Sequence, residues 1–397
     1  MKQFITIVSV FLVCIATYAQ EAPTKGFLLP RLTTAERNAM VNPAKGVTIF
    51  NTDTNTQEIQ SGTASSPNWS SPTSFYNISP TGIDDTANIT ALLNMANGTD
   101  LFYINMKPGN YFISSSITNF KSNVIINGNG SVIKSNFDGI MFDVLSVNTV
   151  TIKDLAFHSK YHQNSYAQNR ISSDTGIRCY ETNTILIDNC RFSGFLDTGI
   201  DMYYVSGANW RGQRNRITKC LFNECWGGAT IWYRCEYGIL SDCIFTKCRY
   251  AMLVNSGNWV VANNIAVDCR AAFVCQNLPG DKDYTLGGNF AHGSIIGCTF
   301  NHCDATVWNS PIKTMKVGTN QVDILGVYIK GVIAPQITGS SFWYTNIYFE
   351  ENSVPYGLYI TGCTITDNTV TAETGSTINL YGTRRYNSSN VGNVIIN

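Results

Sequence analysis

Between residues 185 and 365 the chain keeps returning to one pattern: an apolar residue, two others, a cysteine, a variable residue and a phenylalanine. It reads Ile187-Asp-Asn-Cys190-Arg-Phe192, then Ile217 to Cys220-Leu-Phe222, Leu240 to Cys243-Ile-Phe245, and Ile295 to Cys298-Thr-Phe300. A last copy is Ile360 to Cys363-Thr-Ile365, while Val261 to Asn264 and Ile337 to Ser340 carry Asn and Ser at the cysteine place. The anchors at 190, 220, 243, 264 and 298 are 30, 23, 21 and 34 residues apart. A unit of about 21 to 23 residues with loop insertions accounts for most of this series. Each unit holds short alternating runs broken by Gly, Asn and Ser, with no room for a helix. Three short strands and three corners per turn predict an all-β solenoid, a right-handed parallel β-helix, whose equivalent residues stack at roughly 4.8 Å.

The cysteine place then becomes an inward column of Cys190, Cys220, Cys243, Cys298 and Cys363 with Asn264 and Ser340. A small, moderately apolar side chain suits such a slot, and free cysteine packs in that role. Two alternatives stay open. Stacked rungs bring Cα atoms within bridging range, which suits a disulfide framework. Zinc would tolerate the spacing, but no adjacent His supports it, and Ser or Asn in the slot would break it.

Ahead of the repeat, Asp84, Asp85 and Thr86 offer N-cap oxygens, and Ile89, Leu92, Leu93 and Ala96 share one helical face. A helix over Asp84–Asn97 is expected to cover the open N-terminal end of the solenoid. Lys107-Pro-Gly-Asn110-Tyr111 reads as the turn into the first strand. Further upstream, Thr33-x-x-Glu36 is a capping box, and Val47–Phe50 followed by NTDTNT reads as a strand entering a hairpin. The apolar run Phe4–Ile15 and the small residues at Ala16-Thr17-Tyr18-Ala19 have the layout of a secretory signal peptide. The expected organisation is a signal peptide over 1–19, a small attachment or assembly module over 20–60, a Ser/Thr/Pro-rich linker over 61–78 and the β-helix over 79–397. The last strand is expected at Val391–Ile396, and the rung register between about 310 and 340 is not legible in the sequence.

Pro80-Thr-Gly82, Asp84-Asp85-Thr86, the helix and Pro108-Gly-x-Tyr111 together resemble the entry motif of the pectate-lyase-like superfamily. That superfamily includes secreted polysaccharide lyases, glycoside hydrolases and phage tailspikes. The resemblance implies the β-helix fold over residues 79 to 397 and leaves the reaction open, since the architecture hosts many chemistries. The segment 25–50 is similar to a module near the N-terminus of Gram-negative surface proteins and some phage fibres. With the leader, this implies a protein secreted from, or held at the surface of, a Gram-negative bacterium.

Charge and composition narrow the partners. The 27 basic residues balance 27 acidic ones, and charged residues make up only 14% of the chain, which argues against nucleic acid or anionic lipid. Nothing after Ala19 is apolar for long enough to be a membrane span.

A further strand follows each corner: Gly176–Tyr180, Gly199–Tyr203, Ala229–Tyr233, Ala251–Asn255 and Ala272–Gln276. Strand alternation sends Arg178, Tyr180, Asp201, Tyr203 and Tyr233 outward, with Asn255 and Gln276 continuing the ladder. Ile231, Leu253 and Val274 fall on the same face and suggest a partial cover, such as a neighbouring subunit of a homo-oligomer. Insertions over 158–175, 205–214 and 277–293 flank the ladder and carry Lys160, His162, Arg170, Asp174, Trp210, Arg211, Arg214, Asp281, Asp283 and His292. Aromatic faces and amides in a row suit a polysaccharide. They equally suit sheet packing alone.

Two chemistries are open on this face. A lyase needs cations to neutralise a uronate and a base to remove a proton, for which Arg178, Lys160, His162 and Tyr180 are available. Calcium is the cofactor such a lyase could use; the sequence itself requires none. A hydrolase needs two carboxyls across one bond, roughly 5 to 10 Å apart; Asp201 with Asp174, Asp197 or Glu181 is the available set. Asp197–Asp201 and Ala291-His-Gly293 are similar to pieces of the polygalacturonase signature, but its adjacent Asp pair on a rung is absent, so that mechanism is not carried over. A non-catalytic glycan-binding surface protein or tailspike-like structural protein is the alternative.

Overall fold

The structure, a computed structural model, describes residues 29–53, 56–70, 73–162, 171, 173–204, 213–233, 235–275, 290, 292–303, 315–317, 320–322, 325–332, 335–351 and 356–397. The chain forms two compact units, Met1–Phe75 and Tyr76–Asn397.

In the first unit a short helix, Thr34–Asn38, starts at a reciprocal capping box between Thr33 and Glu36. The strand Thr48–Asn51 pairs parallel with Arg31–Leu32 and antiparallel with Thr56–Gln60, and Trp69–Ser70 completes the sheet. Arg37 Nη1 reaches Glu58 Oε2 at 2.7 Å, and Asn51 Nδ2 donates to Glu58 Oε1 at 3.0 Å, so the nearly buried carboxylate is satisfied on both oxygens.

The second unit is the right-handed parallel β-helix. The first strand of each turn keeps one register through Ile187, Ile217, Leu240, Val261, Ile295, Ile337 and Ile360. The second does so through Phe192, Phe222, Phe245, Ala266, Phe300, Phe342 and Ile365. The rings of Phe157, Phe192, Phe222 and Phe245 stack with centroids 5.1, 5.0 and 4.6 Å apart. The third strands form a ten-stranded sheet.

In the repeat region the first and second corners each turn on one residue with positive φ followed by a small polar or thiol side chain pointing inward. At the first corner Asn189, Lys219, Asp242, Asn263 and Gly297 have φ between 51° and 62° and precede Cys190, Cys220, Cys243, Asn264 and Cys298. All the slot residues, through Ser340 and Cys363, are buried, as expected. The slot also makes hydrogen bonds. Cys243 Sγ accepts from the Cys220 N–H at 3.4 Å, Asn264 Oδ1 from Cys243 at 2.9 Å and Ser340 Oγ from Cys298 at 3.1 Å. A corner N–H that would otherwise be buried without an acceptor is thus capped by the next rung, which is why Cys, Asn and Ser exchange there. The second corner repeats the device with Cys225, Cys248, Cys269 and Cys303, followed by Thr345. All twelve described cysteines are free thiols.

Three expectations change, and the register that the sequence left open between 310 and 340 is filled. The helix is Thr86–Met95, with Ile89 and Leu93 buried and Leu92 packed at the edge of the core. The Lys107–Gly109 turn does lead into a strand, Asn110–Ile113, but it is not the first, because Thr73–Ile78 and Leu101–Met106 precede it. Within 310–340, Met315–Val317 and Asn320–Val322 pair antiparallel outside the rung pattern, and the third sheet resumes at Gly326–Val332. The C-terminal run is two strands, Ser389–Val391 and Asn393–Ile396, divided at Gly392.

Candidate functional site

Asp143, Arg178, Asp201, Thr230, Leu253, Val274 and Tyr328 form one register column on the third sheet. The expected Arg178–Asp201 juxtaposition is present, but Arg178 turns to Asp143, one rung earlier. Its Nε and Nη2 bind Oδ1 and Oδ2 at 2.7 and 2.5 Å. Burial disfavours the Arg178 charge, and Asp143 outweighs that effect, so its pKa is raised overall. Asp201 is 2% exposed, and its Oδ1 accepts from both Thr230 Oγ1 and Trp232 Nε1 at 2.9 Å. It is a structural acceptor, not a carboxylate standing open to substrate.

The tyrosine ladder holds for two rungs. Tyr180 pairs with Tyr203, their half-buried rings 4.6 Å apart. The next place belongs to Trp232, because Ile200 pairs with Ala229 and Tyr204 with Tyr233. Tyr233 therefore lies off the column, and Ile231 faces the core with Thr230 outward in its stead. A single Gly, Gly228, occupies the place that Ala251 takes in the next rung, which shifts the apparent alignment by one. From Asp201 onward the face is closed: Trp232, Tyr250, Leu253, Val274, Tyr328 and Asn255 are all buried. Leu253 and Val274 are buried within the single chain, with no neighbouring subunit needed to cover them. Trp210, Arg211, Gln276, Arg170, Asp281 and Asp283 lie outside the described residues, as does the side chain of Tyr233.

The flank holds more accessible chemistry. Lys160 is 2.9 Å from Asp138, whose other oxygen accepts from Tyr161 Oη at 3.0 Å. The hydrogen bond to Asp138 raises the Lys160 pKa and favours its charged form. Asp174 is fully buried; Ser159 Oγ donates to it at 2.9 Å and the Leu196 N–H at 2.7 Å. Burial pushes its carboxyl up to about 7. With no exposed oxygen, it works as a clamp between the insertion and the corner before Leu196, and not as a reacting acid.

His162 stacks on His158 with centroids 4.8 Å apart. The close approach needs Gly194: a Cβ there would sit 2.1 Å from the His162 Cα. His158, which the sequence reading passed over, lies in register with Lys134 on one side and Ser193 on the other. Burial, then the neighbouring His162 and Lys134, hold its pKa down to about 4. Its Nδ1 has no hydrogen-bond partner. It borders a groove of about 540 Å³ lined by Asn129, Val132, Asp154, Asn189 and Arg191 among others. Asn129, Asp154 and Asn189 are the positive-φ residues of successive first corners, and Asn189 Nδ2 donates to Asp154 at 2.7 Å. The groove is thus an outer wall of two corner amides and the Asp154 carboxylate, with Arg191 in its lining and Lys134 on the strand beside His158. No group of three or more His, Cys, Asp and Glu among the described residues is placed to hold a metal. The single groove carboxylate, Asp154, does not make the six to eight oxygen ligands that calcium takes.

The family described as right handed beta helix region matches residues 144–321. The solved endo-xylogalacturonan hydrolase from Aspergillus tubingensis aligns over 80% of this chain and 95% of its own, at 12% identity and TM-score 0.52. The chain has the right-handed parallel β-helix fold. Other β-helix structures align more loosely. An alginate lyase from Paenibacillus sp. str. FPU-7 covers 81% of this chain and 99% of its own at 11% identity and TM-score 0.43. The tailspike of Escherichia coli bacteriophage HK620, solved with a hexasaccharide, covers 80% and 62% at 12% identity and TM-score 0.46. The family described as phage tail like trimerisation region matches residues 15–83. No curated protein matches the chain. At this identity the likeness is one of fold, and the superfamily name carries no reaction with it.

Proposed function

We propose that this β-helix protein binds an acidic glycan in the groove formed by Asn129, Asp154, Asn189, His158 and Arg191. The carrying observation is the groove itself: an open concavity of about 540 Å³ walled by corner side chains, with Arg191 in its lining and Lys134 on the strand beside His158. Amides satisfy sugar hydroxyls, and the two cations suit a uronate carboxylate. The apolar leader Phe4–Ile15 supports export, and the N-terminal trimerisation match supports assembly of three copies.

Binding is the first reading, and His158 favours a second. His158, held neutral, and Arg191 line the groove together, and a β-eliminating lyase needs a base for the α proton and a cation for the carboxylate. The test is calorimetric titration of oligogalacturonates and alginate oligomers, with a parallel assay for unsaturated product and reducing ends. Arg191→Ala is expected to weaken acidic-glycan binding about tenfold. Unsaturated product lost in His158→Gln, with binding kept, would establish the lyase. Unchanged binding in Arg191→Ala would remove the groove as the site.

A further inference from the structure

The second corner carries aromatic rings where other rungs carry small or charged residues. Its positive-φ column runs through Glu224, Lys247, Asp268, His302, Tyr344, Asp367 and Asn387. Asp and Asn accept this conformation readily, whereas a bulky ring in it is an outlier that costs stability. Tyr344 has φ 48° and His302 φ 51°. Beside them Trp343 occupies the outward end of the second strand, paired with Asn301 on one side and Thr366 on the other, and Tyr386 follows Thr366.

The rings form an exposed cluster. His302 stacks on Tyr344 with centroids 4.7 Å apart, and Trp343 lies 5.7 Å from Tyr344 at 25°. Trp343 is 47% exposed, Tyr344 39% and Tyr386 57%. Large rings held in water, one on a strained backbone, bring no folding advantage, and an observed outlier of this kind points to function.

The surroundings identify the occupant. Thr366, Asp367, Asn387 and Arg384 border the rings, and the Asn387 amide donates to Asp367 at 3.1 Å. One carboxylate and one guanidinium leave the rim balanced, with no aliphatic side chain among these border residues. A ring face beside hydroxyl, amide and carboxylate groups matches a pyranose, which has an apolar face and a hydroxyl edge. The balanced rim offers a uronate no net attraction, so a neutral sugar fits the charge better. Trp343 and Tyr386 are two rungs apart, roughly 10 Å at the usual strand spacing, with Thr366 between.

We propose that Trp343, Tyr344 and Tyr386 form a second carbohydrate site, for neutral sugar units of a glycan lying along the second corner. It stands apart from the acidic-glycan groove, and either site can fail without the other. The experiment is affinity electrophoresis through gels carrying galactomannan, xyloglucan or mixed-linkage glucan, with light scattering on the same proteins. Retardation by at least one neutral polymer is expected. Trp343→Ala should raise the dissociation constant about tenfold, and the double variant with Tyr386→Ala should remove retardation. Tyr344→Asn should weaken binding while raising Tm by about 1 to 3 °C, a combination that a purely structural ring would not produce. Arg191→Ala should leave neutral-polymer retardation unchanged. The proposal is overturned if no neutral polymer retards the protein, or if Trp343→Ala binds as the parent does. It is equally overturned if Trp343→Ala lowers the particle mass, which would assign the rings to a contact between copies.

Discussion

Arg178 and Asp143 face each other on neighbouring strands of the third sheet, the guanidinium gripping both carboxylate oxygens in a parallel fork. This geometry fixes what Arg178 can do. A cation already paired in two places is poorly placed to neutralise a substrate carboxylate, so the pair stabilises the sheet. Asp143→Asn leaves a half-buried guanidinium without its partner. It should cost about 2 kcal/mol, below the range for a fully buried pair because Arg178 keeps part of its side chain in water. Chemical denaturation measures it, and glycan binding in the groove should be unaffected.

Asp174 gives a pH dependence of definite sign. With its carboxyl raised to about 7 from an ordinary 3.8, the folded state holds a proton that the unfolded chain releases. Stability from this group is therefore greatest at low pH and falls as pH rises from about 4 to 7, by up to about 4 kcal/mol. Asp174→Asn keeps a neutral side chain and should flatten that part of the stability profile measured by denaturation at a series of pH values.

His158 works in the opposite direction. Held neutral down to about 4, it takes up a proton less readily folded than unfolded, so its contribution is present above pH 6.5 and lost as pH falls toward 4. Titrating the imidazole by NMR should place its midpoint near 4, and Phe in place of His162 should move that midpoint upward by removing the neighbouring charge.

The corner slot tolerates chemistry better than volume. Cys243→Ser retains an acceptor for the Cys220 N–H and should cost under about 1.5 kcal/mol. Cys243→Leu has to fit a larger side chain into the closed column and should cost about 1 to 3 kcal/mol, read as a fall in the denaturation midpoint.

The N-terminal helix shields the first rung through Ile89 and Leu93, both buried. Leu93→Ala should cost about 3 kcal/mol. The matching change at half-buried Leu92 should cost clearly less, a contrast visible in thermal melts.

The rungs were legible because packing writes them: Ile187, Cys190 and Phe192 face inward in every turn, and inward places tolerate few residue types. The presence of the helix, the corner slot and the hairpin at Thr48–Asn51 followed from the same local rules, although the helix is two residues shorter at each end and Asp85 makes no side-chain cap. Outward places obey no such restriction. One glycine, Gly228, was enough to misplace Tyr233 by a residue, and nothing local announced that Asp201 would end beneath Trp232 and Thr230. The groove was missed because its walls are corner residues. Asn129, Asp154 and Asn189 read individually as turn formers, and only the stacking of rungs gathers them around His158. The second thiol column was visible in the doubled cysteines of Cys220–Cys225 and Cys243–Cys248, and its regularity becomes plain only beside the first.

The buried thiols also turn the solenoid into its own recorder. Cys190, Cys220, Cys243, Cys298 and Cys363 mark successive stations along one edge, and Cys225, Cys248, Cys269 and Cys303 mark a parallel edge, each sealed from solvent. A thiol-blocking reagent can reach a station only while that turn is open. Pulse labelling under mild denaturant, read peptide by peptide in a mass spectrometer, would therefore show from which end the coil unwinds, and whether it unravels turn by turn or all at once.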